Sequence, residues 1–171
     1  LGNVPGCSVV IARSPLLSPP PADWSDKHKE CLSGAFVLSA EQQLKAWPAS
    51  AELLAFLERC DVKKTKPIYF GWGSMIAGSP TRMIELAVRA LKAVGRSGVV
   101  LSGWAGLDLG KLKQSEASDA SELISYASEY VYFLTEPSIP HEWLFPKMDC
   151  IVHHGGAGTT ASALRAGVPS I

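Results

Sequence analysis

The apolar positions of the chain become regular after about residue 50, where they predict two amphipathic helices. In the segment 51–60 the apolar residues recur on one face, and Ser50 in front of it is a suitable N-cap. The segment 80–94 repeats this pattern, with Ser79 as its N-cap and Gly95 just past its end. Both segments are therefore predicted to be helices that pack one face on a core.

Short apolar runs between and after these helices predict buried strands. They lie at 67–72, 99–102, 130–134 and 150–153, and a further strand begins at 168–171. We assign no regular element to the polar stretch 111–128. Strands that alternate with helical segments are typical of an α/β fold. We expect a mostly parallel, Rossmann-like sheet with flanking helices.

Residues 1–48 are irregular in comparison. Residues 9–12 are apolar enough for a short strand, and the prolines that follow exclude a helix over the next stretch. The remainder has the scattered apolar residues of a linker that packs along a surface. The chain starts at Leu1 and stops inside its last predicted strand, so we expect a fragment of a longer protein.

Composition narrows the class of protein. The chain has 171 residues, of which 47% are hydrophobic and 19% charged, and this excludes a disordered protein. The basic residues form no stripe or cluster for nucleic acid or an anionic membrane surface. The four cysteines include no Cys-x-x-Cys pair, so we expect reduced thiols rather than a metal site or a disulfide framework. With no signal peptide and no apolar run of ~20 residues, we expect a cytoplasmic protein, with peripheral membrane contact left open for the full-length form.

A Gly-rich turn between the strand 150–153 and a helix-like segment at 161–166 carries the strongest functional signal. Unpaired backbone N–H groups and the positive end of a helix dipole stand at such a turn, and both favour a bound phosphate. Three predicted strand ends, marked by Ser74, Trp104 and His154, fall on the same edge of a parallel sheet. We therefore predict that the three turns converge into an anion cradle for a nucleotide.

Each residue of this edge also has a purely structural interpretation. His154 can donate an N–H to a phosphate oxygen or hydrogen-bond a neighbouring carbonyl. Gly156 and its neighbouring glycines permit close backbone approach, which a tight corner also needs. Thr159 and Thr160 can cap the helix, bond a phosphate, or do both. Ser74 is either a turn residue or a second phosphate contact.

Other Gly-rich motifs fit less well. The spacing Gly156-x-Gly158-x-x-Ala161 is a weak form of the dinucleotide fingerprint, so half of a nicotinamide dehydrogenase is a distant alternative. No lysine follows the glycines as in a Walker A loop, and no Gly-x-Ser-x-Gly elbow is present as in an esterase. The paired carboxylates of a glycosidase are not evident either.

Several motifs together resemble one family. The block at 152–160, Val-His-His-Gly-Gly-Ala-Gly-Thr-Thr, with Leu-Arg-Ala-Gly-Val-Pro at 164–169, resembles the donor-binding signature of UDP-sugar glycosyltransferases with the GT-B fold. Within that family it is most similar to sterol 3-beta-glucosyltransferases and to bacterial glycosyltransferases of antibiotic biosynthesis. Supporting segments stand at 67–75, 101–107 and 138–146. The resemblance implies that residues 1–48 are the end of an N-terminal lobe and the interlobe linker. Residues 49–171 would be part of the C-terminal, UDP-sugar-binding lobe.

The resemblance also implies the donor contacts. His154 would bond the UDP diphosphate. Four further residues of the turn would contact it through backbone or hydroxyl groups, namely Gly156, Gly158, Thr159 and Thr160. Ser74 would reach the same phosphates, Ile139 would hold the uracil edge through its backbone, and Trp104 would border the donor site.

The implied reaction is transfer of a hexose, expected to be glucose, from UDP to a hydroxyl group of a lipid-like acceptor such as a sterol, with inversion. Neither a cofactor nor a metal is implied, because the helix dipole, His154 and backbone amides can hold the diphosphate. The alternative is a non-catalytic nucleotide-binding or regulatory module of the same fold.

The sequence departs from the family pattern in three respects. Plant relatives carry a uracil-stacking Trp where Glu136 stands and a ribose-binding Glu where Ser162 stands. The Asp-Gln pair that grips the sugar would follow Ile171, and the general-base His would precede Leu1. The chain alone is therefore expected to hold the donor without catalysing transfer.

Overall fold

The computed structural model describes residues 9–22, 30–39, 41–42, 47–135 and 139–171. The chain divides into two units, Leu1–Leu38 and Ser39–Ile171. In the first unit, β1 (Val9–Ile11) pairs in parallel with β2 (Glu30–Leu32), with Val10 opposite Cys31. The strand predicted near residues 9–12 is confirmed, whereas β2 had no counterpart in the sequence prediction.

The second unit is a parallel sheet with helices on both faces. Its elements in chain order are α1 (Ala51–Val62), β3 (Ile68–Gly71), α2 (Pro80–Ala93), β4 (Gly98–Leu101), α3 (Leu109–Leu112), α4 (Ala120–Tyr130), β5 (Val131–Leu134), α5 (His141–Leu144), a 3-10 turn (Phe145–Lys147), β6 (Cys150–His153) and α6 (Ala157–Ala166). The strand order is β5-β4-β3-β6, and every pair is parallel. The predicted α/β class is confirmed.

The two long helices begin where their caps predict. Ser50 Oγ accepts the N–H of Leu53 at 3.3 Å, and Ser79 Oγ accepts the N–H of Arg82 at 3.2 Å. These bonds satisfy N–H groups that have no partner inside the helix. Capping therefore fixes the start of α1 and of α2.

Part of the polar stretch 111–128 is helical, which the sequence prediction missed. In α4 the apolar side chains of Leu123 and Ala127 are buried against the α2 face of the sheet. The polar face of α4 is held to α2 by an ion pair between Lys92 and Glu122 at 2.7 Å and by another between Arg89 and Asp119. The few apolar positions that sufficed for packing were too sparse to show a helical period.

Two apolar clusters cover the two faces of the sheet. On one face Phe70 and Val100 pack with α2, α3 and α4, and on the other Tyr69 and Val99 pack with α1, α5 and α6. Successive strand residues alternate between the clusters because side chains in a strand point to opposite faces. Both faces are thus covered, as a parallel sheet requires.

The free edge of β6 already carries the start of another strand. Ile151 forms a parallel bridge with Ser170, and the N–H of Ile171 donates to the carbonyl of Ile151 at 2.9 Å. The prediction that a strand begins at 168–171 is therefore confirmed. β3, β4 and β6 end at the same edge of the sheet, and their following turns form the surface described next.

Candidate functional site

Three turns meet at the carboxyl edge of the sheet. The carbonyl of Gly73, after β3, accepts the N–H of Trp104, after β4, at 3.2 Å. A Cβ atom at Gly73 would stand 2.8 Å from Cε1 of His154, after β6. The predicted convergence of the three strand ends is thus confirmed.

His154 lies between two glycines that leave room for its ring. A Cβ at Gly73 would collide with its Cε1, and a Cβ at Gly156 would overlap its Nε2. Gly156 has φ −60° and ψ 137°, values that any residue adopts, so space rather than backbone freedom requires glycine there. Sequence reasoning identified the Gly73 turn but not the contact of Gly73 with His154, because no sequence pattern connects the two positions.

The Nδ1 atom of His154 is buried and has no hydrogen-bond partner among the described residues. Buried polar atoms are almost always satisfied by a protein group or by a bound molecule. Gly73 and Gly156 therefore leave room for the imidazole, and Nδ1 keeps hydrogen-bonding capacity that no described protein group uses.

The helix that follows has an uncapped start. Its N-cap is Gly156, which has no side chain to accept the first N–H groups. The carbonyl of Gly156 accepts both the N–H of Thr160 at 2.9 Å and its hydroxyl at 3.0 Å. The capping role considered for Thr159 and Thr160 is wrong, because the helix begins at Ala157, ahead of both threonines.

The first turn of α6 has the features that favour an anion. The N–H groups of Ala157, Gly158 and Thr159 come before the first backbone bond of the helix, and the positive end of the helix dipole adds to them. A Cβ at Gly158 would meet no atom within 4 Å, so this glycine faces open space. Because the hydroxyl proton of Thr160 is already donated to Gly156, only its oxygen remains as an acceptor.

The other residues singled out from the sequence differ in their exposure. Ser74 is exposed in the turn after β3, and Trp104 is 79% exposed in the turn after β4. Ile139 lies just before α5, half-buried against the cluster that α5 and α6 share. Ser162 is buried in α6, whereas Glu136 lies outside the described residues.

A half-buried histidine, His141, was missed by sequence reasoning. The ring of His141 stacks on Phe145, with centroids 4.4 Å apart, and meets the edge of Tyr69 at 6.1 Å. Its Nε2 is buried and has no hydrogen-bond partner in the described part of the chain. Burial lowers the pKa of His141 to about 4, with Glu142 opposing this effect and His153 adding to it. The only feature of the sequence that could have drawn attention to His141 is its position at the start of an apolar turn.

Glu142 connects the short helix α5 to α6. Its side chain is only 10% exposed, and its Oε2 accepts from Nε of Arg165 at 3.3 Å. The segment that carries Ile139 is therefore linked to the helix that carries the Gly-rich start.

The electrostatics of the site come from backbone dipoles and imidazoles. Among the described residues, no group of three or more His, Cys, Asp or Glu side chains could hold a metal ion.

The helices that the structure describes include none that is long and apolar enough to cross a membrane.

Comparison with known proteins identifies relatives by sequence. No protein-family model matches the chain. It is 37% identical over 157 residues to sterol 3-beta-glucosyltransferase UGT80A2 of Arabidopsis thaliana, a match that covers 92% of this chain and 21% of that protein. It is 32% identical over 161 residues to the sterol 3-beta-glucosyltransferase of Cryptococcus neoformans, covering 92% of this chain and 10% of that protein. The enzyme of the same name from Kluyveromyces lactis is 32% identical over 158 residues, covering 92% and 12% of the two chains. The chain thus spans a small part of the length of these relatives.

A solved structure agrees on the fold. The glycosyltransferase SnogD from Streptomyces nogalater superposes with a TM-score of 0.52 at 23% identity, covering 95% of this chain and 37% of that one. The predicted fold, a Rossmann-like lobe of the kind found in these glycosyltransferases, is confirmed.

Proposed function

We propose that this chain, a sequence relative of the sterol 3-beta-glucosyltransferases, is the UDP-sugar-binding part of a hexosyltransferase. The full protein would move glucose from UDP to a hydroxyl group of a sterol or similar lipid, with inversion at the anomeric carbon. One observation carries the proposal: the ring of His154 lies between Gly73 and Gly156 at the uncapped start of α6.

The arrangement is suited to a diphosphate. The N–H groups of Ala157, Gly158 and Thr159 and the dipole of α6 supply positive potential, and an N–H of His154 adds a directed donor. Gly158, whose Cβ position is open, lets an oxygen approach the backbone closely. During transfer the leaving UDP gains negative charge, so the same donors stabilise the transition state.

The remaining proposed contacts come from the other turns at the carboxyl edge of the sheet and from the segment before α5. Ser74 stands in the turn that touches His154, from which its hydroxyl would reach the same phosphates. Trp104 is held beside that turn by its bond to Gly73 and would border the UDP-sugar site. The backbone of Ile139 would hold the uracil edge. We expect no metal, because the helix amides and an N–H of His154 supply hydrogen bonds and positive potential in the place of a cation.

The diphosphate role is tested by calorimetry of UDP with wild-type and His154→Ala chains. We expect UDP affinity to fall by about 1.5–3 kcal/mol, the range for hydrogen bonds to charged groups. Uridine is the matched control ligand, since it lacks phosphates and its affinity should not change. Equal UDP affinity for the two chains would remove the basis of the proposal.

Sugar transfer is tested separately with the full-length gene product. We expect labelled glucose to move from UDP-glucose to a sterol. UDP binding without transfer to any hydroxyl acceptor would instead favour a non-catalytic nucleotide-binding or regulatory module.

A further inference from the structure

We propose that His153 is a positioning residue for the diphosphate site. Its Nδ1 accepts the N–H of Gly155 at 3.2 Å and thereby fixes the corner between β6 and α6. This inference rests on the proposed function, because its effect is expected on UDP binding. His153 itself would not touch the nucleotide.

The backbone of His153 is anchored from both sides of β6. The residue pairs with Gly71 of β3, and its N–H donates to the carbonyl of Ile171 at 3.0 Å. Since two neighbouring chain segments hold the backbone, the imidazole extends from a fixed point. The hydrogen bond to this ring therefore restrains Gly155, the residue whose N–H donates it.

Gly155, whose N–H donates this hydrogen bond, is the residue of the corner with the greatest conformational freedom. Gly155 has φ +79°, in the left-handed region that glycine enters without strain, and Gly156 follows in an extended conformation as the N-cap of α6. No atom lies within 4 Å of a Cβ built at Gly155, so side-chain packing does not hold this residue. The bond to His153 is a restraint that packing does not provide.

Two parts of the site depend on the conformation of that corner. Gly156 borders the ring of His154, and its carbonyl anchors the first turn of α6 through Thr160. A corner freed from His153 would sample other conformations, and UDP would then have to order it on binding. Ordering a flexible segment weakens apparent affinity without removing any contact with the ligand.

The environment of His153 favours its neutral imidazole, whose Nδ1 can accept a hydrogen bond. Burial, and next the neighbouring His154 ring, lower the pKa of His153 below its ordinary value, so the neutral ring dominates at pH 7. An unprotonated Nδ1 requires the proton to sit on Nε2. This tautomer is a consequence that can be measured directly.

Two substitutions separate hydrogen bonding from packing. In His153→Asn, Oδ1 takes the position of Nδ1 and accepts the i+2 N–H as asparagine does in turns. In His153→Leu, apolar bulk is retained and the acceptor is lost. We expect UDP affinity to fall two- to tenfold in the Leu variant and to stay within twofold of wild type in the Asn variant.

If His153→Leu bound UDP more tightly than His153→Asn, the side chain would act by packing. If wild type and both variants bound UDP equally well, His153 would not position the site. Either result overturns the inference. Thermal unfolding of each variant confirms that affinities are compared between folded proteins. If the wild-type chain binds UDP and His154→Ala weakens it, failure of the His153 pair overturns this inference alone. If UDP does not bind, the proposed function and the inference fall together.

A measurement on the unaltered chain covers the case in which the Leu variant does not fold. The ¹⁵N NMR shifts of the His153 ring should show Nδ1 unprotonated and Nε2 protonated at pH 7.5. A proton on Nδ1 would be incompatible with the bond from Gly155 and would overturn the inference.

Discussion

Replacing His141 by phenylalanine should remove an acid-sensitive element from the fold. The ring of His141 is stacked on Phe145 and faces the edge of Tyr69, an environment that phenylalanine can occupy. In the unfolded chain the imidazole takes up a proton at its ordinary pKa of 6.5, whereas in the fold burial lowers the pKa to about 4. The unfolded state therefore binds more protons between these two values.

The sign and size of the effect follow from that difference. The stabilisation is fully present above pH 6.5 and is lost as the pH falls from 6.5 towards 4. At pH 5 the unfolded chain is almost fully protonated at this residue and the folded chain mostly neutral. Linkage then gives a loss of about 2 kcal/mol relative to pH 7.5.

The assay is urea unfolding of the chain at pH 7.5 and pH 5, followed by tryptophan fluorescence. The fall in unfolding free energy between the two pH values should be about 2 kcal/mol smaller in His141→Phe than in wild type. Subtracting the two proteins cancels the contribution of groups that titrate in both. Trp143→Phe, a change on the same short helix with no titrating group, is the control and should keep the wild-type pH dependence. Identical pH dependence in wild type and His141→Phe would refute the reasoning.

Two other predictions concern the proposed UDP site. Gly73→Ala should weaken UDP binding at least tenfold, because its Cβ would stand 2.8 Å from His154 Cε1 and displace the ring. Gly78→Ala has the same unfavourable positive φ and no atom within 4 Å of its Cβ, so it should cost stability of roughly 1 kcal/mol and leave UDP affinity unchanged. Calorimetry of both variants checks the pair, and equal affinities would contradict the steric argument. EDTA should leave UDP affinity unaltered, since the donors of α6 and His154 are all protein groups, and a drop that Mg²⁺ restores would show that a metal takes part.

The sequence predicted helices and strands correctly where the repeat of apolar residues was strong and the signals lay close together in the chain. The caps Ser50 and Ser79 and the apolar runs of the strands follow from neighbouring residues alone. The prediction failed for α4, which packs through few apolar side chains, and for the start of α6. Three of the first four residues of that start, Gly158, Thr159 and Thr160, have weak helix propensity, and the Gly156 carbonyl that holds the turn by accepting from Thr160 is not visible in a local pattern.

The candidate site was only partly predictable for a related reason. That three strand ends share one edge follows from parallel topology, and the position of His154 before a Gly-rich turn singled it out, with the family resemblance in agreement. The fit of Gly73 around the ring, and the burial of His141 behind it, arise when segments distant in sequence come together. No local pattern encodes such contacts.

The ring of His154 between two glycines makes substitutions at these positions depend on one another. A side chain at Gly156 overlaps the imidazole only while the imidazole is present, so His154→Ala would make room for Ala at position 156. The glycines are thus constrained by their neighbour rather than by their own backbone alone. In the descent of this fold, loss of the histidine would come first and release position 156 to vary, whereas the reverse order would pass through a clash. Gly73, with φ +59°, would stay constrained by its own backbone.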